Sequence, residues 1–193
     1  MKRSKMKYFT KIYMIILILI FTFTFFLGCN EQNSVNSGEN NETKIVDGQY
    51  LEINDDGLIT VVGNFYNNKR EGQFIYFDNK GKIQEQQNYK NNQLHGKQIK
   101  VHNTGKISIK LSYKNGIKNG EYTKYYKNGK IQESGYYLNG VKDGEAIWYY
   151  DNGQKNIIYT YENGKLNGPT QTFSKDGNLI KDGNYINGEL IIN

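Results

Sequence analysis

From Gly48 onward the chain repeats one pattern of apolar and polar positions every 24 residues. Glycine recurs at Gly48, Gly72, Gly96, Gly120, Gly144 and Gly168, and again nine residues later at Gly57, Gly81, Gly105, Gly129, Gly153 and Gly177. An aromatic ring stands at Phe65, Tyr89, Tyr113, Tyr137, Tyr161 and Tyr185, each followed two residues on by an asparagine. A fixed period of this length marks a repeat architecture, so the unit must be read before the whole. With the first glycine of each unit as position 0, position 5 is always apolar: Ile53, Phe77, Val101, Tyr125, Tyr149, Phe173. Position 11 is apolar in Ile59, Ile83, Ile107, Ile131 and Leu179, while positions 10, 12 and 16 are mostly polar. Short alternating runs bounded by Asn-Gly or Asp-Gly predict strands. Each unit reads as strand, turn, strand, turn.

The pattern also predicts a register. Position 5 should face position 11 across the first turn, because a slip of one residue would oppose it to polar position 12. That pairing needs a three-residue loop at positions 7 to 9, a type I turn closed by a left-handed residue. Position 9 is glycine in all six copies, the residue that adopts this conformation without steric cost. The second connection is longer ("NGVKDG" in the fourth unit), and the pattern does not fix its type. The expected fold is all-β, an elongated single-layer antiparallel meander of six 24-residue β-hairpin repeats. Twelve strands would span roughly 55–60 Å. Pro169 opens the sixth unit at a place tolerable only at a strand start or edge. Ile192 stands where another glycine would open a seventh.

Alternation assigns faces. Odd positions 5 and 17 give an aromatic stripe (Tyr113, Tyr125, Tyr137, Tyr149, Tyr161, Phe173, Tyr185), expected to be the core in which each ring packs on its repeat neighbours. The even face should be polar, yet Tyr122, Tyr126, Tyr136, Trp148 and Tyr150 would point that way, with Tyr76 a lesser outlier. An aromatic cluster on a repeat surface marks recognition, and these five are the candidate binding face. The competing reading is a thin sheet that packs on both faces. On the first reading, Trp148→Ala with Tyr122→Ala should abolish partner capture and leave the sheet folded.

The glycine-aromatic layout, as in "YYKNGKIQESGYYLNGVKDGE", resembles the MORN-repeat variant family over residues 48 to about 191. The resemblance implies β-hairpin repeats. Bacterial members are often labelled antitoxins of the YwqK family, and eukaryotic relatives are linked to membranes and protein scaffolding. The eukaryotic pattern, richer in glycine and tryptophan, is not matched.

Composition sharpens this picture at the N-terminus. Residues 1–28 hold Lys2, Arg3, Lys5, Lys7 and Lys11 and no acid, then the apolar run "IYMIILILIFTFTFFL". This reads as a targeting segment. Cys29, the one cysteine, closes "FLGC", which resembles the lipobox of bacterial lipoproteins, with Phe26 where leucine is usual. The resemblance implies a signal peptide over 1–28, a lipid on Cys29 and a repeat domain exported to the cell envelope. The alternative is an uncleaved anchor, although the run is short of the ~20 residues that span a bilayer. Residues 29–47 then form a tether: "NEQNSVNSGENNETK" is too polar to offset its ordering entropy by burial. About 18 residues of such chain span roughly 20–25 Å. The domain itself is assigned to 48–193. A single cysteine allows no internal disulfide.

The net charge of +6 resides mostly in the leader, and without it 20 basic residues oppose 19 acidic ones. A nucleic-acid partner is not expected from that balance. The two histidines, His95 and His102, lack metal-ligand spacing and are expected to be solvated. No acid is partnered with a base and no calcium loop is present. Catalytic residues, metal and cofactor are therefore expected to be absent. The leading expectation is a membrane-tethered, non-enzymatic recognition scaffold that binds a protein or an envelope glycan. The alternatives are an antitoxin or immunity protein capping a toxin, and a structural envelope spacer.

Overall fold

The computed structural model describes residues 47–191. The leader, Cys29 and most of the tether lie outside the described residues. The described residues belong to one compact unit. Within it, the described residues form eighteen strands and no helix, with every pairing antiparallel: each long strand pairs with the neighbouring long strands in sequence, and each short strand folds back on the long strand before it. The fourth unit stands for all: Gly120–Tyr125, Ile131–Leu138 and the short Val141–Lys142. The fifth unit's first strand, Gly144–Tyr149, then pairs back onto Ile131–Leu138. The result is an all-β hairpin meander.

The first turn follows the expected geometry. Ile53 pairs Ile59 and Tyr125 pairs Ile131. The amide of position 9 donates to the carbonyl of position 6, as in Gly129 to Tyr126 at 2.8 Å. Gly129 is left-handed at φ 92, where a Cβ would clash. The second turn is a two-residue hairpin with both φ positive, as in Asn115 (51) and Gly116 (81). Those angles belong to a type I′ turn, whose twist suits a tight antiparallel pair. From the second unit on, each such turn donates its second amide to the preceding unit, as in Gly116 to Leu94 O, Gly140 to Lys118 O and Gly164 to Lys142 O, at 2.8–2.9 Å.

One expectation is overturned by the register. Immediately after the Tyr125–Ile131 pair the ladder shifts, so that Lys124 faces Glu133 and Gly120 faces Tyr137. The same bulge recurs in every unit. An unpaired extra residue inverts the alternation beyond it. Positions 0, 2 and 4 therefore share a face with positions 13, 15 and 17, and position 5 lies on the other. The expected stripe splits: Tyr113, Tyr137, Tyr161 and Tyr185 go to one face, Tyr125, Tyr149 and Phe173 to its opposite.

Candidate binding face

The face built from positions 2, 4, 13, 15 and 17 holds the core. Phe65, Phe74, Tyr122 and Ala146 are buried on it, as are the polar Gln98, Glu133 and Thr170. Ring pairs run along it: Tyr50–Phe65 at 5.2 Å, Phe65–Phe74 at 5.6 Å, Phe74–Tyr89 at 5.2 Å, Tyr122–Tyr137 at 4.8 Å, Trp148–Tyr159 at 5.2 Å and Tyr159–Tyr185 at 5.9 Å. Such pairs add about 0.5–1.5 kcal/mol each beyond area burial. In units four and five, positions 2 and 15 are complementary in size across the ladder. Tyr122 faces Gly135 and Ala146 faces Tyr159. A Cβ on Gly135 would lie 2.9 Å from the Tyr122 ring and 3.1 Å from Ala146, so glycine is what admits the ring.

A charged cluster sits among these rings. Glu133, 3% exposed, accepts from the Tyr122 hydroxyl at 2.7 Å, from Lys124 Nζ at 2.6 Å and from Lys142 Nζ at 2.6 Å. Burial alone would raise its carboxyl, but those three hydrogen bonds outweigh it and hold the group below its ordinary value. Burial, then the bond to Glu133, pushes the Tyr122 hydroxyl well up. Lys142 lies over three rings, 4.5 Å from Trp148, 5.1 Å from Tyr161 and 5.5 Å from Tyr122. The equivalent residues Arg70 and Lys118 reach onto Tyr89 and Tyr137 of the units that follow them, at 5.2 and 5.0 Å. Cation–π contacts of this kind contribute about 0.5–2 kcal/mol. The chain's own cations thus lie over part of the aromatic face, on Phe74, Tyr89, Tyr122, Tyr137, Trp148 and Tyr161. Among the described residues every buried side-chain nitrogen and oxygen has a partner, and no cluster of metal-ligating side chains occurs.

Five consecutive segments, residues 70–91, 94–115, 118–139, 142–163 and 166–187, match the MORN repeat variant. The chain belongs to that family. Each matched MORN segment opens at position 22, and Arg70, Lys118 and Lys142 are the residues there that pack forward onto the next rings. No curated protein matches the sequence. Among solved structures, the GtfA/B complex bound to UDP and GlcNAc is similar at 12% identity and a TM-score of 0.25, covering 84% of this chain and 29% of that one.

Within the MORN array the five candidate aromatics do not share one surface. Tyr122 is 2% exposed, and Trp148 is half-buried beneath Lys142. Replacing both with alanine would therefore remove core, so the sheet is not expected to withstand that pair of changes. Tyr126 and Tyr150 lie at first turns, where their hydroxyls donate to Tyr149 O at 2.6 Å and Phe173 O at 2.9 Å. His102, expected to be solvated, makes the same forward contact through Nε2 to Tyr125 O at 2.9 Å. Tyr136 points to the opposite face and is 42% exposed.

Around Tyr136 lie three side chains that the sequence pattern did not single out. Ile117 is 52% exposed, Leu138 41% and Val141 43%. They occupy positions 18 and 21, directly before and after the type I′ turn. The flanking units carry Lys90 with Gln93 and Glu162 with Lys165 at the same places. The available signal was this local exchange of charged for apolar residues in two adjacent copies.

Proposed function

We propose that the protein is a non-enzymatic recognition scaffold, tethered by lipid on Cys29 with its repeats outside the cytoplasm, that binds a protein through Ile117, Tyr136, Leu138 and Val141. The observation that carries this is the exposure of four large apolar side chains at one corner of the sheet, since such patches mark interaction sites. A protein partner suits it better than an envelope glycan. Several of the rings on which sugars would stack lie under Arg70, Lys118 and Lys142, whereas the open patch is mostly aliphatic. A toxin is one protein of this kind.

The test is affinity capture from envelope extracts with the full chain carrying Tyr136→Ser and Leu138→Asp. Both sites are exposed, so stability should move by no more than about 0.5 kcal/mol, while partner capture should be lost. Capture at the parental level would overturn the reading. In the same fractions Cys29→Ser should shift the chain from membrane to soluble material, and retention on the membrane would exclude the lipid anchor.

A further inference from the structure

The apolar corner is flanked by charge of opposite sign on its two sides. Successive rungs along this face are Lys90–Gln93, Lys97–Ser112, Lys114–Ile117, Glu121–Tyr136, Leu138–Val141, Glu145–Thr160 and Glu162–Lys165. The lysines and glutamates named are all exposed. Three lysines precede the Tyr136 rung and two glutamates follow it, with Lys165 the one base on the acidic side. Counted outward from Tyr136, Ile117 stands one rung away on one side and Leu138 and Val141 one rung away on the other. Lys97 and Glu145 are two rungs out, and Lys90 and Glu162 three.

A surface with this order is complementary to itself when the array is reversed. We propose that the partner of the patch is a second copy of this chain, packed face to face about a two-fold axis that runs parallel to the strands and passes through the Glu121–Tyr136 rung. This rests on the reading of the patch as a binding surface. The axis sets Ile117 of one copy against Leu138 and Val141 of the other, Lys97 against Glu145, and Lys90 against Glu162. An isologous interface requires this reciprocity, in which residue i meets j and j meets i. Opposed charges of this kind select orientation and exclude the parallel arrangement, which would set lysine on lysine. The like-charge meeting at the axis is Glu121 with its own copy.

Disulfide trapping of the full chain in its membrane tests the geometry, with Cys29 of the parent setting the background. Ile117→Cys mixed with Leu138→Cys should give more cross-linked dimer than either alone or than Asn152→Cys at the first-turn edge. Glu145→Lys with Glu162→Lys should weaken self-association at least about tenfold. Mixing that chain with one carrying Lys97→Glu and Lys90→Glu should restore it. Glu121→Gln should strengthen it. Mixed cross-linking no better than Asn152→Cys, or charge reversal without effect, overturns the second copy as partner. If cross-links are absent while Leu138→Asp still abolishes capture of another protein, the patch stands as a binding surface with a different occupant.

Discussion

Units two and three share a backbone with units four and five but are fastened together differently. Glu85 and Glu133 occupy the same position 13. Around Glu133 the neighbours are Tyr122 and two lysines at 2.6 Å, with three rings over Lys142. Glu85 instead accepts from Gln98 at 2.6 Å and pairs at 3.3 Å with Lys100, which is 45% exposed. The first turns differ too. Tyr126 and Tyr150 bond forward to the next unit. Asp78, at the same position, turns its carboxylate onto its own amides at Lys80 and Lys82, at 2.9 and 2.8 Å. A cavity of about 390 Å³ lined by Asp78, Lys82, Lys100 and His102 opens between those two units. A single template therefore yields closed or open junctions, decided by side chains at positions 2, 6 and 22.

The largest effect should come from position 2. Tyr122→Ala should cost about 3–5 kcal/mol in urea unfolding, the range for emptying a buried aromatic site. Gln98→Ala, at the same place in unit three, should cost about 1–3 kcal/mol, the penalty for leaving Glu85 short of a donor. Equal losses would show that the two junctions are alike. Next in size, Glu133→Gln should destabilise by about 2–4 kcal/mol, at the lower side of a broken buried pair because Lys124 is partly exposed. Glu85→Gln should cost about 0.5–1 kcal/mol. The Glu133 carboxyl is held below its ordinary 4.5, so its contribution is fully present above that value and is lost as pH falls through the folded pKa. The gap between the two variants should close on acidification, and a gap unchanged down to pH 2 would refute the ionised cluster.

The smallest effect sharpens the turn comparison. Tyr126→Phe removes one hydroxyl bond and should cost about 1 kcal/mol. It should also speed amide exchange at the first turns of units four and five, and leave the already open junction at Asp78 unchanged. Exchange that rises equally at both junctions would mean that the forward bonds do not fasten the turns.

The parts of this arrangement legible from sequence are those with a side-chain signature. Ile53 opposite Ile59 and the left-handed Gly57 follow from alternation and sterics. The bulge one residue later has no such mark, since position 12 carries Thr60, Gln84, Ser108, Gln132, Asn156 and Ile180 in turn. Its consequence is nonetheless large, because every residue from position 13 to 17 changes face. That is why Tyr137 packs with Tyr122 instead of Tyr125, and why simple alternation groups Tyr136 with aromatics on the opposite face. The second turn was obscured for another reason. Asn67-Asn68 and Asn91-Asn92 replace the usual Asn-Gly in the first two copies, although their φ values of 49 to 66 are those of the same turn. The cluster of Glu133 and Lys142 joins positions 13 and 22 on different strands, so it becomes visible only once the face inversion is known.

The amide-to-carbonyl bond that joins each second turn to the unit before it bears on how such an array can change length. Asn92 to Arg70, Gly116 to Leu94, Gly140 to Lys118, Gly164 to Lys142 and Gly188 to Leu166 are five copies of one link, each spanning 22 residues. Donor and acceptor are both main chain, so the link does not depend on which side chain occupies either end. Duplicating or excising any whole stretch of 24 residues between Gly96 and Gly168 leaves every remaining link with its proper partner, whereas 23 or 25 residues would put one out of phase. The seam therefore acts as a ruler: it lets the gene vary the reach of the scaffold in whole steps, and it leaves the side chains at the corner free to change with whatever they meet.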